Sequence, residues 1–529
     1  MRSLTRCAPI FVLAVLPLAA AGQLAPIGLS EVRGRWLANE DADPANDQFG
    51  WAFAAGDFNG DFVDDLATGR PFDDGPSGSG LANRGSVVVR YGHAGSGLLD
   101  GPGALVLSET PAESQANEYF GGALAAGDFN GDGIDDLAVA IPGNRPAARG
   151  AVRIYYGAVG GLQVAGSELL EESSAGEPQH LCDTSQFGWS LAAGDFDGDS
   201  FSDLAVGAFH GCENVQGELV SGGSVFVAHG KEDGLLPFFG YRISQNSFGF
   251  DPVEAGDEFG AAVAAGDFDA DGYDDLAIGI PGENDHGAIQ IVIGSEFGLL
   301  FAENAFWWPG ALGELPESGD ALGYALAAAD FDGDGHDDLA IGTPFEDLDP
   351  GNVPQNVGKV DIAYGAPPPA WFDLGRTDRL SQGDIHGSSA HEGEFDSFGL
   401  ALGAGDFDGD GRADLAIGSP GDDWSGSGHG AVTIVMGHPA GLGASSRHRL
   451  LATGWEGLPG DGAQLSQDSG KALGVGDFDG NGYADLAIGV PAFDSGGAVD
   501  AGGAAVLYGS LFADGFELGA GERWSNVGP

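Results

Sequence analysis

The sequence is poor in basic residues and in cysteine. Its 529 residues include 20 lysines and arginines against 80 aspartates and glutamates, and only 3 cysteines. The formal charge of -60 leaves no basic surface of the kind that nucleic acids and anionic membranes require. After residue 18 no apolar run approaches the length of a membrane span. We therefore expect neither a nucleic-acid partner nor a membrane span.

The first 21 residues have the pattern of a secretory signal peptide. Arg2 and Arg6 precede an apolar run at residues 9–18, and three alanines follow at residues 19–21. We expect residues 1–21 to be removed and the protein to be secreted or held at the cell surface. Cys182 and Cys212 would then lie in an oxidising compartment, where they form either one local disulfide or two separate thiols.

Glycine is abundant, and it is not spaced as in collagen. The 95 glycines follow no three-residue period, and 43% of the residues are hydrophobic. This composition excludes a disordered acidic chain and predicts many short strands joined by tight turns.

A twelve-residue acidic segment occurs seven times along the chain. The first copy is GDFNGDFVDDLA, beginning at Gly56, and successive copies are 63 to 76 residues apart. A repeat of this length indicates a propeller or another closed repeat architecture. The first aspartates of the seven copies are Asp57, Asp128, Asp195, Asp267, Asp330, Asp406 and Asp477.

Each copy lies within a longer unit that predicts four strands. A Phe-Gly pair or a variant of it precedes a short apolar strand, the acidic loop follows, and DLAIG-like and GAVTIV-like runs lead to a fourth, more polar segment. Four antiparallel strands form one propeller blade. The seventh unit ends after its third strand, so residues 34–40 are predicted to supply its outer strand. We therefore predict an all-β, seven-bladed propeller over residues 30–510, followed by a tail at residues 511–529.

The Phe-Gly start, the acidic loop and the Gly-x-Pro ending resemble the FG-GAP repeat. That repeat builds the propeller at the head of integrin α chains and occurs in many exported bacterial proteins. The resemblance implies a seven-bladed propeller with calcium in some of its loops, and it implies export from a bacterial cell. It covers nearly all of the chain that follows the signal peptide.

The acidic loops have the side-chain pattern of calcium sites. Counted from the first aspartate, positions 1, 3, 5 and 9 hold 25 aspartates and three asparagines, and position 7 can add a backbone carbonyl. Hard oxygen donors without nitrogen or sulfur suit calcium, so we predict up to seven Ca²⁺ ions. The predicted ligands are Asp57, Asn59, Asp61, Val63 and Asp65; Asp128, Asn130, Asp132, Ile134 and Asp136; Asp195, Asp197, Asp199, Phe201 and Asp203; Asp267, Asp269, Asp271, Tyr273 and Asp275; Asp330, Asp332, Asp334, His336 and Asp338; Asp406, Asp408, Asp410, Arg412 and Asp414; and Asp477, Asp479, Asn481, Tyr483 and Asp485.

The acidic loops have two other interpretations. An EF-hand requires glutamate at position 12, where every copy has threonine, valine or isoleucine. Acidic turns without metal remain an alternative, because turns favour Asp, Asn and Gly in any case. Phe62 and Ser200 replace the glycine at position 6 of the first and third loops, which disfavours a left-handed backbone there.

The sequence indicates a binding protein more than an enzyme. It has no nucleophile-elbow, phosphate-loop or zinc-hydrolase motif, and compact calcium loops leave little room for catalysis. We expect a monomeric, noncatalytic binding or adhesion module for an extracellular protein or glycan, which its longer loops at residues 73–84, 210–222, 345–358 and 422–430 could contact. The alternatives are an exported phospholipase or carbohydrate-active hydrolase, and a calcium-stabilised structural protein of the cell envelope.

Overall fold

Seven four-stranded antiparallel sheets arranged around an axis make up the described part of the protein in a computed structural model. The first strand of each sheet packs against the first strand of the next, and the seventh packs against the first, which closes the ring. The predicted seven-bladed propeller is therefore confirmed. The description covers residues 34–39, 45–75, 81–98, 104–109, 115–143, 149–172, 184–215, 218–249, 252–313, 316–347, 356–386, 393–422, 430–445, 447–452, 468–494 and 499–509.

Each blade runs from an inner first strand to an outer fourth strand. The first strands of blades one to seven are Phe53–Gly56, Leu124–Gly127, Leu191–Gly194, Ala262–Gly266, Ala325–Ala329, Ala401–Gly405 and Leu473–Gly476. The second strands are Asp65–Arg70, Asp136–Ile141, Asp203–Ala208, Asp275–Ile280, Asp338–Thr343, Asp414–Ser419 and Asp485–Val490. The third strands are Ser86–Arg90, Ala151–Tyr155, Ser224–His229, Ala288–Ile293, Lys359–Ala366, Ala431–Val435 and Gly503–Leu507. The fourth strands are Leu105–Leu107, Glu168–Leu170, Leu236–Ile243, Leu300–Trp307, Trp371–Leu380, His448–Ala452 and, in blade seven, Gly34–Ala38.

The outer strand of blade seven comes from the amino-terminal part of the chain, as predicted. Gly34–Ala38 pairs antiparallel with Gly503–Leu507, with Trp36 opposite Ala505. This pairing supplies the strand that the seventh repeat lacks and covers an edge that would otherwise be exposed.

Buried apolar clusters join neighbouring blades. The second strand is buried along its whole length in every blade, because its DLAIG-like sequence has an apolar or small residue at almost every position. The phenylalanine at position 2 of each acidic loop is also fully buried, and Phe58 lies in one cluster with Leu137 of the next blade. These rings therefore pack between blades.

The Phe-Gly segment is a backbone contact between blades. Phe120 of blade two forms an isolated parallel bridge with Gly85, which precedes the third strand of blade one, and the same bridge recurs at all seven junctions. Gly85 has a φ of 78°, and a Cβ placed there would lie 2.3 Å from the carbonyl oxygen of Phe120. Glycine is therefore required where the two backbones meet.

A few elements lie outside the blades. Blade three carries an additional hairpin, Cys212–Val215 with Glu218–Ser221, between its second and third strands. Cys212 is disulfide-bonded, and its predicted partner Cys182 lies outside the described residues. The described chain has one short α-helix, Gln382–His386, and the 3-10 segments Gln245–Ser247, Glu283–Asp285, Pro309–Leu312 and Leu442–Ala444. A search of the described residues for a long apolar helix able to cross a membrane found none.

Candidate metal loops and the opposite aromatic end

The acidic loops connect the first and second strands of every blade, so all seven lie at one end of the propeller, here called the loop end. Position 9 is the first residue of each second strand, and position 1 directly follows each first strand. The antiparallel hairpin therefore brings the two ends of the loop together, and the ring repeats this arrangement seven times.

The aspartate at position 1 fixes the turn through the backbone. In the second loop, Asp128 Oδ2 accepts the amide of Gly133 at 2.8 Å, and its Oδ1 accepts those of Gly131 and Asp132. The contact from the amide of position 6 recurs in all seven loops. This carboxylate therefore holds the loop in a tight curve through its bonds to the backbone.

The aspartate at position 9 is buried and ties the loop to the third strand. In blade four, Asp275 Oδ1 accepts the amide of Gly294 at 2.7 Å, and its Oδ2 accepts that of Phe268 at 3.0 Å. Loss of hydration raises the pKa of Asp275 to about 8, and the charges of Asp269 and Asp267 add to the rise against the lowering effect of the two amides. Burial raises the pKa of the matching groups to about 8 as well: Asp65, Asp136, Asp338, Asp414 and Asp485.

The predicted carboxylates come together in space. Ligand atoms of Asp267, Asp269 and Asp271 lie within 4.8 Å of one another. Positions 1, 3 and 5 also come together in the third loop, as Asp195, Asp197 and Asp199. Positions 1, 3 and 9 come together in the fifth and sixth loops, as Asp330, Asp332 and Asp338 and as Asp406, Asp408 and Asp414. The position-7 residues enter the loops through their amides, which donate to the side chain at position 5 in all seven copies; their carbonyls remain predicted ligands.

The loop backbone is the same with or without glycine at position 6. Phe62 and Ser200 have φ values of 66° and 70°, in the left-handed region that Gly133 and Gly272 also occupy. The amides of Phe62 and Ser200 donate to the position-1 aspartates at 2.7 and 2.9 Å. The first and third loops therefore keep the common shape despite their side chains, and the non-glycine residues carry the conformational strain.

Position 8 has a role that the sequence pattern did not assign. The amide of position 8 donates to the position-1 carbonyl of the preceding blade at every junction, as Asp135 does to Asp57 at 3.1 Å. In four blades position 8 is an aspartate that also accepts the position-1 amide, such as Asp135 Oδ2 from Asp57 at 2.9 Å. The Asp-Asp doublet at positions 8 and 9 was the available sequence signal. The seven loops are thus linked into one hydrogen-bonded ring.

Basic side chains contact three of the loops, and these were also missed. Arg376 pairs with Asp332 of the fifth loop, and Arg447 lies 2.7 Å from Asp408 of the sixth. In the third loop, His229 Nδ1 lies 3.1 Å from Asp203 Oδ2 and 3.3 Å from Asp197 Oδ2. These residues are far from the loops in sequence, and the pairing of strands within each blade brings them there.

The donor set fits a divalent cation. Three carboxylates converge in each of the third, fourth, fifth and sixth loops. Loss of hydration and the neighbouring negative charges together raise the pKa of the buried position-9 aspartates, so their charged form is not fully stabilised by the surrounding protein. A cation at this place would offset both the repulsion and the lost hydration.

Aromatic side chains collect at the opposite end of the propeller. Trp51, which follows the first Phe-Gly pair, packs edge-on against Phe72 with ring centroids 5.2 Å apart, and Phe72 packs against Tyr119 at 5.5 Å. Trp189 with Phe209, at 4.2 Å, and Tyr324 with Phe345, at 5.5 Å, repeat the pair in blades three and five. We call this surface the aromatic end. Trp189 and Tyr324 are 43% and 41% exposed, so the rings are available to a partner.

Comparison with known proteins finds the same repeat family at all seven blades. The FG-GAP repeat matches residues 49–89, 120–155, 187–225, 259–292, 322–363, 398–435 and 469–507, about half of the chain. Each matched segment includes the Phe-Gly position and the whole acidic loop.

Relatives with known names include integrin chains and a phospholipase. Integrin alpha-PS2 of Drosophila melanogaster is 36% identical over 240 residues, covering 44% of this chain and 15% of that protein. Integrin alpha-V of Gallus gallus is 32% identical over 248 residues, covering 45% of this chain and 21% of that protein. Phosphatidylinositol-glycan-specific phospholipase D of Rattus norvegicus is 31% identical over 166 residues, covering 30% and 19%. The similarity therefore spans about a fifth or less of each of these relatives.

Proposed function

Since the chain belongs to the FG-GAP repeat family, we propose that it is an extracellular, noncatalytic binding module whose loop end holds calcium and whose aromatic end contacts a protein or glycan partner. The three aromatic pairs are the observation that supports partner binding at the aromatic end. The relatives named integrins support a role in adhesion, and the acidic clusters support the metal.

The two ends of the propeller have different tasks in this proposal. At the loop end, calcium neutralises converging carboxylates and stabilises the hairpins, and the hydrogen bonds between positions 1 and 8 pass that stabilisation to the neighbouring blades. The aromatic end is thereby presented on a rigid frame. Tyrosine and tryptophan lose little conformational entropy when they bind, which makes them effective contact residues.

Chelation tests the metal half of the proposal. An ion that binds only the folded state stabilises it by about 2.7 kcal/mol when its free concentration is a hundred times its Kd. We expect the melting temperature in excess EGTA to fall by many degrees relative to the calcium-loaded protein. A melting curve unchanged by exhaustive chelation would contradict calcium binding at these loops.

Substitution at the aromatic end tests the binding half. The probe is an array of immobilised extracellular-matrix proteins and glycans, exposed to the calcium-loaded protein. The triple variant Trp51→Ala, Trp189→Ala, Tyr324→Ala should lose binding by about thirtyfold or more, the effect of removing a binding hot spot. Phe297→Ala is the matched control, because Phe297 is 79% exposed and follows the third strand of blade four, at the loop end. Equal binding by the triple variant and the wild type would refute the assignment of this surface.

A hydrolase remains the rival function, because one relative is named as a phospholipase D. A panel of phosphodiester and glycoside substrates separates the two functions. Turnover that survives the triple aromatic substitution would favour the enzyme, and absence of turnover together with aromatic-dependent binding supports the module.

A further inference from the structure

The third loop has a buried histidine, His229, against two of its carboxylates. We propose that it is a mixed nitrogen and oxygen site for a divalent transition metal such as Zn²⁺, with His229, Asp197 and Asp203 as ligands. This inference rests on the proposed metal-binding role of the loops and narrows it for one blade.

The three side chains already form a compact donor set. His229 Nδ1 is 3.1 Å from Asp203 Oδ2 and 3.3 Å from Asp197 Oδ2, and one ligand atom from each residue lies within 4.8 Å of the others. Ligands about 2.0–2.2 Å from a tetrahedral ion are roughly 3.3–3.6 Å apart, so a small rearrangement would accommodate the metal. Calcium takes oxygen ligands, whereas imidazole with carboxylate suits zinc and its neighbours.

In four other blades a tyrosine occupies the position of His229 and makes a contact with the next blade. The residue before the glycine that ends the third strand is Tyr91, Tyr156, Tyr364 or Tyr508 in four other blades. Each of those tyrosine hydroxyls accepts a leucine amide in the following blade.

In blade three a tyrosine on the fourth strand makes this contact between blades. Tyr241, on the fourth strand, accepts the amide of Leu299 at 2.9 Å, and its ring centroid is 5.6 Å from that of His229. His229 is only 9% exposed, and its ring nitrogen is directed at the loop carboxylates instead of the next blade. The interblade contact is thus maintained while position 229 provides nitrogen to the loop.

A lysine occupies one of the carboxylates of this loop. Lys231 Nζ lies 3.0 Å from Asp199 Oδ2, so the position-5 carboxylate is paired with a cation of the protein. Calcium, which takes six to eight oxygens, is thereby disfavoured relative to an ion that is satisfied by four ligands. The remaining carboxylates, Asp195, Asp197 and Asp203, can complete a four-ligand shell with His229.

Equilibrium dialysis against Zn²⁺ in a large excess of Ca²⁺, followed by elemental analysis, tests the proposal. The wild type should retain about one zinc per chain, and His229→Tyr, which installs the residue of four other blades, should bind zinc at least about tenfold more weakly. Co²⁺ loaded at the same site should show the visible absorption of a four-coordinate ion, and the variant should lack it. Asp197→Asn should weaken zinc binding in the same way through the second ligand.

The matched control is His336→Tyr in the fifth loop. His336 Nδ1 lies 3.0 Å from Asp334 Oδ1, and tyrosine occupies the same loop position at Tyr273 and Tyr483. This variant should retain the wild-type zinc, and melting curves in calcium should show that all variants fold. Zinc retained by His229→Tyr, or none retained by the wild type, would overturn the inference. Calcium is measured in the same samples. If calcium binds but zinc does not depend on His229, only the zinc inference fails; if neither ion binds, the proposed metal-binding role of all the loops fails.

Discussion

Replacing Asp275 by asparagine should destabilise the protein much more in calcium than without it. Asp275 is fully buried at position 9 of the fourth loop, and its two oxygens accept the amides of Gly294 and Phe268. Asparagine keeps the shape of aspartate and one acceptor oxygen. The substitution removes the possibility of a negative charge and turns the side-chain amide NH2 toward one of the backbone N–H donors.

The expected magnitudes differ because the charge matters only when an ion is bound. Burial raises the pKa of Asp275 to about 8, so at pH 7 without metal the carboxyl is largely neutral and the substitution should cost about 1 kcal/mol, the value of one neutral hydrogen bond. With calcium the carboxylate is a charged ligand. A hundredfold weaker Kd at saturating calcium removes about 2.7 kcal/mol more, for a total of about 4 kcal/mol.

Urea unfolding of wild type and variant, in calcium and in EGTA, measures this difference. Asp257→Asn is the control. Asp257 is 4% exposed, lies in the same blade but away from the acidic loops, and accepts the amide of Glu254 at a distance of 2.6 Å. Its cost should be the same in both buffers. If Asp275→Asn also cost the same in both, Asp275 would have only a structural role and the argument for metal ligation at position 9 would fail.

Three further outcomes are expected. Phe62→Gly should raise the free energy of unfolding by about 1 kcal/mol, because Phe62 is 92% exposed and held at positive φ; Phe62→Ala, which keeps the strain, should show no such gain in the same denaturation assay. The ion-free protein should lose stability as pH rises from about 4 to about 8. The position-9 aspartates have a pKa of about 8 in the folded state, which therefore binds more protons over this range than the unfolded chain does. Melting temperatures that increase over this pH range would contradict the burial argument. Arg447→Gln should lower stability in EGTA by about 0.5–1 kcal/mol and increase the stabilisation by calcium, because the arginine at 2.7 Å from Asp408 partly neutralises the sixth loop; an unchanged calcium dependence, measured by melting, would speak against that role.

The order of residues was enough to predict the number of blades, the strand that closes the ring and the acidic loops. A repeat spacing and an alternation of apolar runs with Asp and Gly turns are local properties, so they can be read directly from residue order. The missing fourth strand of the last unit was equally visible, and the pairing of Trp36 with Ala505 confirms the predicted closure.

The repeats did not predict which distant residues meet at the loops and at the aromatic end; those contacts follow from the folded arrangement of the strands. His229, Arg376 and Arg447 contact loop aspartates of their own blades that are 26 to 44 residues away. Asp135 bonds to Asp57 of another blade. Phe62 shows the same limit, because the hydrogen bonds of Asp57 impose a left-handed turn that its own side chain disfavours. Such contacts depend on the twist and spacing of packed sheets. Twist and spacing are set by strand pairing within each blade and by packing between blades, and the order of residues displays neither.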